Sequence, residues 1–176
     1  RIKTYSSDFV WAEAFGYAPS ATRYNETKTS PNASLIYQPL PWLTTYATYI
    51  EGLQSGGVAP STTLNAGAAM APEVSEQYEV GIKASVGETL LTLALFNIDK
   101  PNAYTDASNR YVQDGRQENN GLEFGVTGKA TPELTLVGGF TLLDPEVKKS
   151  SVTANQGQKP TNVAAQLAKL YAEYEI

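Results

Sequence analysis

Residues 77–86, QYEVGIKASV, alternate strictly: Tyr78, Val80, Ile82 and Ala84 are separated by Gln77, Glu79, Gly81 and Lys83. A two-residue period sends successive side chains to opposite faces of a strand, so every charge in this stretch lies on one face. The turn Val86-Gly87-Glu88 follows, and 89–99 is apolar at most positions. The alternation recurs downstream. Leu122, Phe124 and Val126 oppose Glu123, Gly125 and Thr127. Leu134, Leu136, Phe140 and Leu142 oppose Thr135, Gly139 and Thr141, with Val137 breaking the split. Ala168, Leu170, Ala172 and Tyr174 oppose Lys169, Tyr171 and Glu173.

Extending this reading along the chain predicts eight strands, at 1–7, 32–37, 43–52, 74–86, 89–99, 119–129, 134–143 and 163–176. The connections alternate in length. Tight turns lie at 38–42, 87–88 and 130–133, and long segments at 7–29, 53–72, 101–117 and 144–160. Loops this long inside a compact domain would ordinarily count against the strand assignment, but here their lengths alternate regularly. Outer-membrane barrels segregate them in just this way, with short periplasmic turns and long extracellular loops. The pattern alone therefore leaves two architectures open, a soluble β-sandwich and a membrane barrel. Strands that reach about 9–11 residues favour the barrel.

Composition narrows the chemistry. Across 176 residues there is neither cysteine nor histidine. A zinc enzyme, a Ser-His-Asp triad and a Cys-His nucleophile are all excluded for this chain. A formal net charge of -5 and the lack of a basic stripe argue against a nucleic-acid partner. The greasiest run, Leu90-Leu91-Thr92-Leu93-Ala94-Leu95-Phe96, is far short of the roughly 18 apolar residues of a membrane helix. Eleven tyrosines, against five Phe and two Trp, suit surfaces where one end of the ring is dry and the other wet. The chain starts at Arg1 without an apolar leader, as expected for a processed protein or a piece of a longer one.

Several stretches, in order, carry a family resemblance: SPNASLIYQPLPWLTTYATYIEGLQSGG, APEVSEQYEVGIKAS, LTLALFNIDKPNAY, DGRQENNGLEFGVTGK and LTLVGGFTLLDPEV. Together they resemble the barrel domain of TonB-dependent outer-membrane receptors, the ferric-siderophore branch in particular. The resemblance implies an all-β fold, an antiparallel transmembrane β-barrel segment. About eight strands would belong to a larger plugged barrel of roughly 22. The whole chain, 1–176, would be part of one barrel domain in the bacterial outer membrane. The plug and the remaining strands would lie outside it.

The resemblance further implies uptake of a ferric siderophore, energised through the plug by an inner-membrane TonB complex, with iron present only in the transported chelate. No cofactor and no enzymatic activity are expected. The alternatives are a small closed eight-stranded outer-membrane barrel with a structural role and a soluble carbohydrate-binding β-sandwich.

Under the barrel reading, Tyr78, Val80, Ile82, Leu122, Phe124 and Val126 face lipid. Gln77, Glu79, Lys83, Glu123 and Thr127 face the lumen. Charge against lipid costs kilocalories near the midplane, which fixes the register. The lumen pair Glu79 and Glu123 has the composition of an acid–base couple, but reads more simply as wet lumen groups that bond a plug. Among aromatic and cationic loop residues, Trp11, Tyr104 and Arg110 are the candidates for ligand contact, since aromatic walls and guanidinium groups suit a bulky, often anionic chelate. No metal site is expected.

Overall fold

A computed structural model describes residues 29–176; the expected strand at 1–7 and the candidate Trp11 lie outside the described residues. The seven other expected strands all form. They are β1 (Asn32–Leu40), β2 (Leu43–Gln54), β3 (Glu73–Val86), β4 (Thr89–Thr105), β5 (Tyr111–Lys129), β6 (Leu134–Lys149) and β7 (Gln166–Tyr174). Each pairs antiparallel with its sequence neighbours, giving one sheet in the order β1 to β7.

Register follows the alternation. Val80 stands opposite Ala47 and Leu95; Leu95 stands opposite Leu122, and Leu122 opposite Leu142. One row over, Ile82 meets Leu93, which meets Phe124, which meets Phe140. The six residues expected to share the apolar side therefore do share one face. Gln77, Glu79, Lys83, Glu123 and Thr127 occupy the other, paired with Ile50, Thr48, Thr44, Ala94 and Leu90. A slip of one residue would exchange these faces wholesale.

Among the described residues no second layer covers either face. Ala59 and Val147 are the buried hydrophobic residues among those described, and neither lies in the middle of the sheet. Val80 is 53% exposed and Phe124 40% exposed. A β-sandwich would bury these positions against a facing sheet about 10 Å away. The sandwich alternative is therefore not the observed architecture.

The two ends of the sheet differ as expected. Pro41-Trp42, Gly87-Glu88 and 130–133 close one end. Gly87 has φ +59°, the left-handed backbone that a two-residue hairpin turn demands. At the other end the connections are 55–72, 106–110 and 150–165.

One loop is much shorter than the sequence reading. Residues 101–117, expected as a loop, mostly continue β4 and β5, which reach 17 and 19 residues. β6 likewise runs on to Lys149. These extensions pass beyond the apolar rows, where both faces are polar and alternation carries no hydrophobic signal. A bulge between Asn102 and Tyr104, and another near Arg116, absorb the irregular residues.

Candidate functional site

The polar face is built around small residues that let aromatic rings lie flat. A Cβ on Gly81 would sit 2.5 Å from the Tyr46 ring, and one on Gly121 would sit 2.2 Å from the Phe96 ring. Glycine at these two positions is a requirement of close approach. The Tyr46 hydroxyl donates to Glu79 Oε1 at 2.7 Å, and Gln77 Nε2 donates to Glu79 Oε2 at 3.0 Å. Lys83 Nζ lies 5.3 Å from the centroid of the same Tyr46 ring. Glu79 is thus an anchored, hydrogen-bonded carboxylate. Glu123 sits on β5, separated from it by β4, so the two carboxylates do not form a couple across one reacting atom.

The apolar face has an ordered border. At the turn end lie Tyr37 and Tyr174; towards the loop end the rings of Tyr49 and Tyr78 meet at a 43° tilt with centroids 5.0 Å apart. Beyond Tyr49 and Tyr78 the same face turns polar: Asn97 Nδ2 donates to Asn120 Oδ1 at 2.8 Å. Next come Arg116 paired with Asp99 at 3.3 Å and Lys148 with Glu118 at 3.8 Å. From Asn120 to Gly128 the belt spans about 27 Å along β5, or about 20 Å along the normal at a tilt near 40°, close to the roughly 25 Å apolar band of a membrane barrel.

Above the belt the loops interlock. Asn65 Nδ2 donates to the Tyr111 carbonyl at 2.9 Å, and Tyr111 N–H donates back to Asn65 Oδ1 at 2.8 Å. Leu64 N–H donates to the Asn109 carbonyl at 2.8 Å, and Asn109 Nδ2 to the Thr62 carbonyl at 3.1 Å. The 55–72 loop is thereby docked on the β4–β5 hairpin.

Beneath this junction, on the polar face, lies a recess of about 400 Å³ lined by Gln54, Glu73, Ser75, Lys100, Asn102, Tyr111 and Gln117 among others. Gln117 and Asn119 are buried there, 8% and 7% exposed, and Gln117 Nε2 donates to Asn119 Oδ1 at 2.7 Å. Their strand partners Val147 and Pro145 are also buried. The chain after β6 doubles back beside them: Val147 N–H donates to the Gln158 carbonyl at 2.9 Å, and Gly157 N–H to the Val147 carbonyl at 2.9 Å.

The loop candidates from sequence are placed separately. Arg110 is exposed at the hairpin tip, where its N–H donates to Asp106 Oδ1 at 2.9 Å. Tyr104 lies past the bulge and is not among the residues lining the recess. Its hydrogen bond with Asp114 pushes the Tyr104 phenol up from its ordinary value. Asp114 is held down, first by the hydrogen bond from Lys149 Nζ at 2.6 Å and then by Tyr104. The recess residues Glu73, Lys100, Asn102 and Gln117 were not singled out by sequence. The β-prone pair Tyr111-Val112 was the one signal that strand, rather than loop, continued there.

Comparison with known proteins agrees with this geometry. A family described as TonB dependent receptor-like, beta-barrel, matches residues 1–176. The ferrichrome receptor FcuA of Yersinia enterocolitica is 32% identical over 167 residues, covering 92% of this chain and 22% of that protein. The metal-pseudopaline receptor CntO of Pseudomonas aeruginosa is 28% identical over 165 residues, covering 91% of this chain and 23% of that protein. Among solved structures, BauA, the ferric preacinetobactin receptor from Acinetobacter baumannii, superposes with a TM-score of 0.75 at 36% identity, covering 86% of this chain and 24% of that one.

The chain belongs to the TonB-dependent receptor family, and it is a segment of that family's outer-membrane β-barrel. It spans less than a quarter of the length of either of these two receptors.

Proposed function

We propose that this chain is part of the wall of an outer-membrane receptor that captures a ferric siderophore and passes it inward. Tyr78, Val80, Ile82, Leu122, Phe124 and Val126 abut lipid in this reading, and Gln77, Glu79, Lys83, Glu123 and Thr127 line the lumen beside a plug. Residues outside this chain supply the plug and the other strands of a single barrel domain. Energy arrives from the inner membrane through the TonB protein. Iron is cargo within its chelate, and the wall performs no covalent step.

The observation that carries the reading is a single uncovered sheet whose two faces differ in kind. One is an apolar belt bordered by tyrosine; the other is polar, and its carboxylate Glu79 is already satisfied. Among the described residues β1 and β7 are the edge strands, and each edge needs a further strand beside it in lipid, because unpaired backbone groups are not tolerated there. The receptor names of the relatives supply the cargo class.

This segment has no cysteine, so only native cysteines elsewhere in the full-length receptor need replacing beforehand. Single cysteines at Asn109 and at Glu88 are introduced into the full-length receptor, and intact cells are treated with a membrane-impermeant maleimide. Asn109→Cys labels on intact cells, whereas Glu88→Cys labels only after lysis. In parallel, cells deleted for the receptor lose uptake of a ferric chelate and regain it on complementation. Equal labelling of both positions in intact cells, or uptake unaffected by the deletion, refutes the proposal.

A further inference from the structure

Resting on the receptor reading, which turns the Val80 side of the sheet to lipid, we propose that β1, β2 and β3 carry a lipid site at the loop end of the apolar belt. A groove there takes one acyl chain, and a carboxylate pair above it selects a headgroup that bears an ammonium, as phosphoethanolamine does.

The groove arises between two adjacent cross-strand rows on the apolar face, Ala33-Tyr49-Tyr78 and Leu35-Ala47-Val80. Together they wall a shallow cavity of about 420 Å³. Ser34, Thr48 and Glu79 also border it; their side chains lie on the opposite face, where Ser34 bonds Thr48 and Glu79 bonds Tyr46, so they contribute backbone as its floor. Alanine makes the hollow: Ala33 and Ala47 are methyl-sized beside two tyrosine rings and the branches of Leu35 and Val80. Rows two residues apart are separated by roughly 7 Å, which is room for a single chain. A methylene chain gains only packing contact there, since lipid tails are as apolar as the wall. Selectivity must therefore come from the headgroup.

Two residues further towards the loops, the same face carries an acid on each of five strands. Glu51 stands opposite Glu76, Glu76 opposite Asp99, Asp99 opposite Glu118 and Glu118 opposite Glu146. On β4, β5 and β6 these charges are met: Arg116 bridges Asp99, and Lys148 bridges Glu118 and Glu146. On β2 and β3 they are not. Among the described residues no lysine or arginine nitrogen lies within 4.0 Å of Glu51 or Glu76. Directly opposed side chains stand about 4.5–5.5 Å apart at Cβ, and like charges there repel. The Tyr49 hydroxyl donates to Glu51 Oε1 at 2.8 Å but brings no charge. The pair thus lacks a cation at the level where headgroups lie, directly above the groove. An ethanolamine ammonium supplies it, and the phosphate beside that ammonium is within the compass of the Tyr78 hydroxyl, on a side chain 54% exposed at the groove's rim. A headgroup with only anionic groups meets uncompensated carboxylate here.

The test uses the full-length receptor in detergent, with native mass spectrometry reading which lipid stays bound under activation. The probes are phosphatidylethanolamine and phosphatidylglycerol with identical acyl chains. The wild type retains phosphatidylethanolamine at least about threefold better, the scale of one partly exposed ion pair. The Glu51→Gln/Glu76→Gln double variant brings the two lipids level. Ala47→Trp fills the groove and lowers phosphatidylethanolamine retention at least about threefold, whereas Phe140→Trp, on the same face at β6, leaves it unchanged. Heat-modifiable gel mobility checks that each variant is folded. Equal retention of both lipids by the wild type, a preference that the double variant keeps, or a retention that Ala47→Trp does not lower overturns the inference and leaves the receptor reading intact. So does a preference for phosphatidylglycerol that needs added magnesium, which would place a metal ion on the carboxylates, or a dimer that Ala47→Trp dissociates, which would place a second copy in the groove. A full-length chain that stays soluble without detergent overturns the receptor reading and the inference with it.

Discussion

Replacing Phe124 by arginine tests the side on which the bilayer lies. Phe124 is the middle residue of the outward row on β5, two positions from Leu122 and two from Val126, with Leu93 and Phe140 as strand partners. All three of Leu93, Phe124 and Phe140 are exposed in the uncovered sheet, at 38%, 40% and 37%. If that face meets acyl chains, an arginine at this depth costs about 2–4 kcal/mol. That converts to a loss of roughly 30-fold to several hundred-fold in the folding constant.

The same substitution at Asn120, on the same face but at the polar border, costs about 0–1 kcal/mol. At Glu123, one residue away on the opposite face, it stays near 0.5 kcal/mol. The assay is equilibrium unfolding of the full-length receptor in lipid vesicles, followed by the heat-modifiable shift in gel mobility. A Phe124→Arg cost equal to that of Asn120→Arg removes the depth dependence and with it the lipid assignment. A larger cost for Glu123→Arg would reverse the faces outright.

Three further outcomes are expected. Gly121→Val drives a side chain into the Phe96 ring, since even a Cβ would lie 2.2 Å from it, and destabilises by about 1–3 kcal/mol; pairing it with Phe96→Ala recovers most of that loss in a double-mutant cycle. Asn65→Ala removes both bonds to the Tyr111 backbone and raises amide exchange at Leu64 and Tyr111 by an amount matching about 1–3 kcal/mol of local opening, with β3 and β4 unaffected. The Asp114–Lys149 contact responds to acid. Because Lys149 lowers the Asp114 carboxyl in the folded state, its contribution is complete above the ordinary value of 3.8 and disappears as pH falls through the lower folded value. Protease sensitivity of the β4–β5 hairpin is therefore flat from neutral pH down to about 4 and rises below it, and Asp114→Asn abolishes that pH dependence.

The legible part of the fold was the part where one face is dry. Tyr78, Val80 and Ile82, or Leu122, Phe124 and Val126, reveal period and register because a slip would turn charge into the apolar belt. Past Asn97 and Asn120 that constraint ends. The segment with Pro101, Asn102, Gly115 and Gln117 has the composition of a loop, yet its backbone stays in the ladder, held by neighbouring strands and two bulges. Recess residues were hidden for the same reason: Glu73, Lys100 and Gln117 come from three strands, and nothing local to any of them signals the others. Tyr104 and Arg110 stood out as aromatic and cationic, but the fold ties Tyr104 to Asp114 and sets Arg110 at a tip. Side-chain type suggested binding; convergence could be seen only once the strands were aligned.

The overshoot of β4 and β5 has its own consequence. From Glu118 to the 106–110 turn the ribbon continues about 20–25 Å along its length past the greasy zone. Under the proposed function, incoming cargo would meet corrugated, hydrogen-bonded masonry rather than loose tendrils, and little ordering entropy would be lost when the two join. Selectivity in such a rim is altered by shifting a ribbon two residues along its neighbour, which moves every contact group in step. Swapping the short hairpin tip leaves that lattice of groups in place.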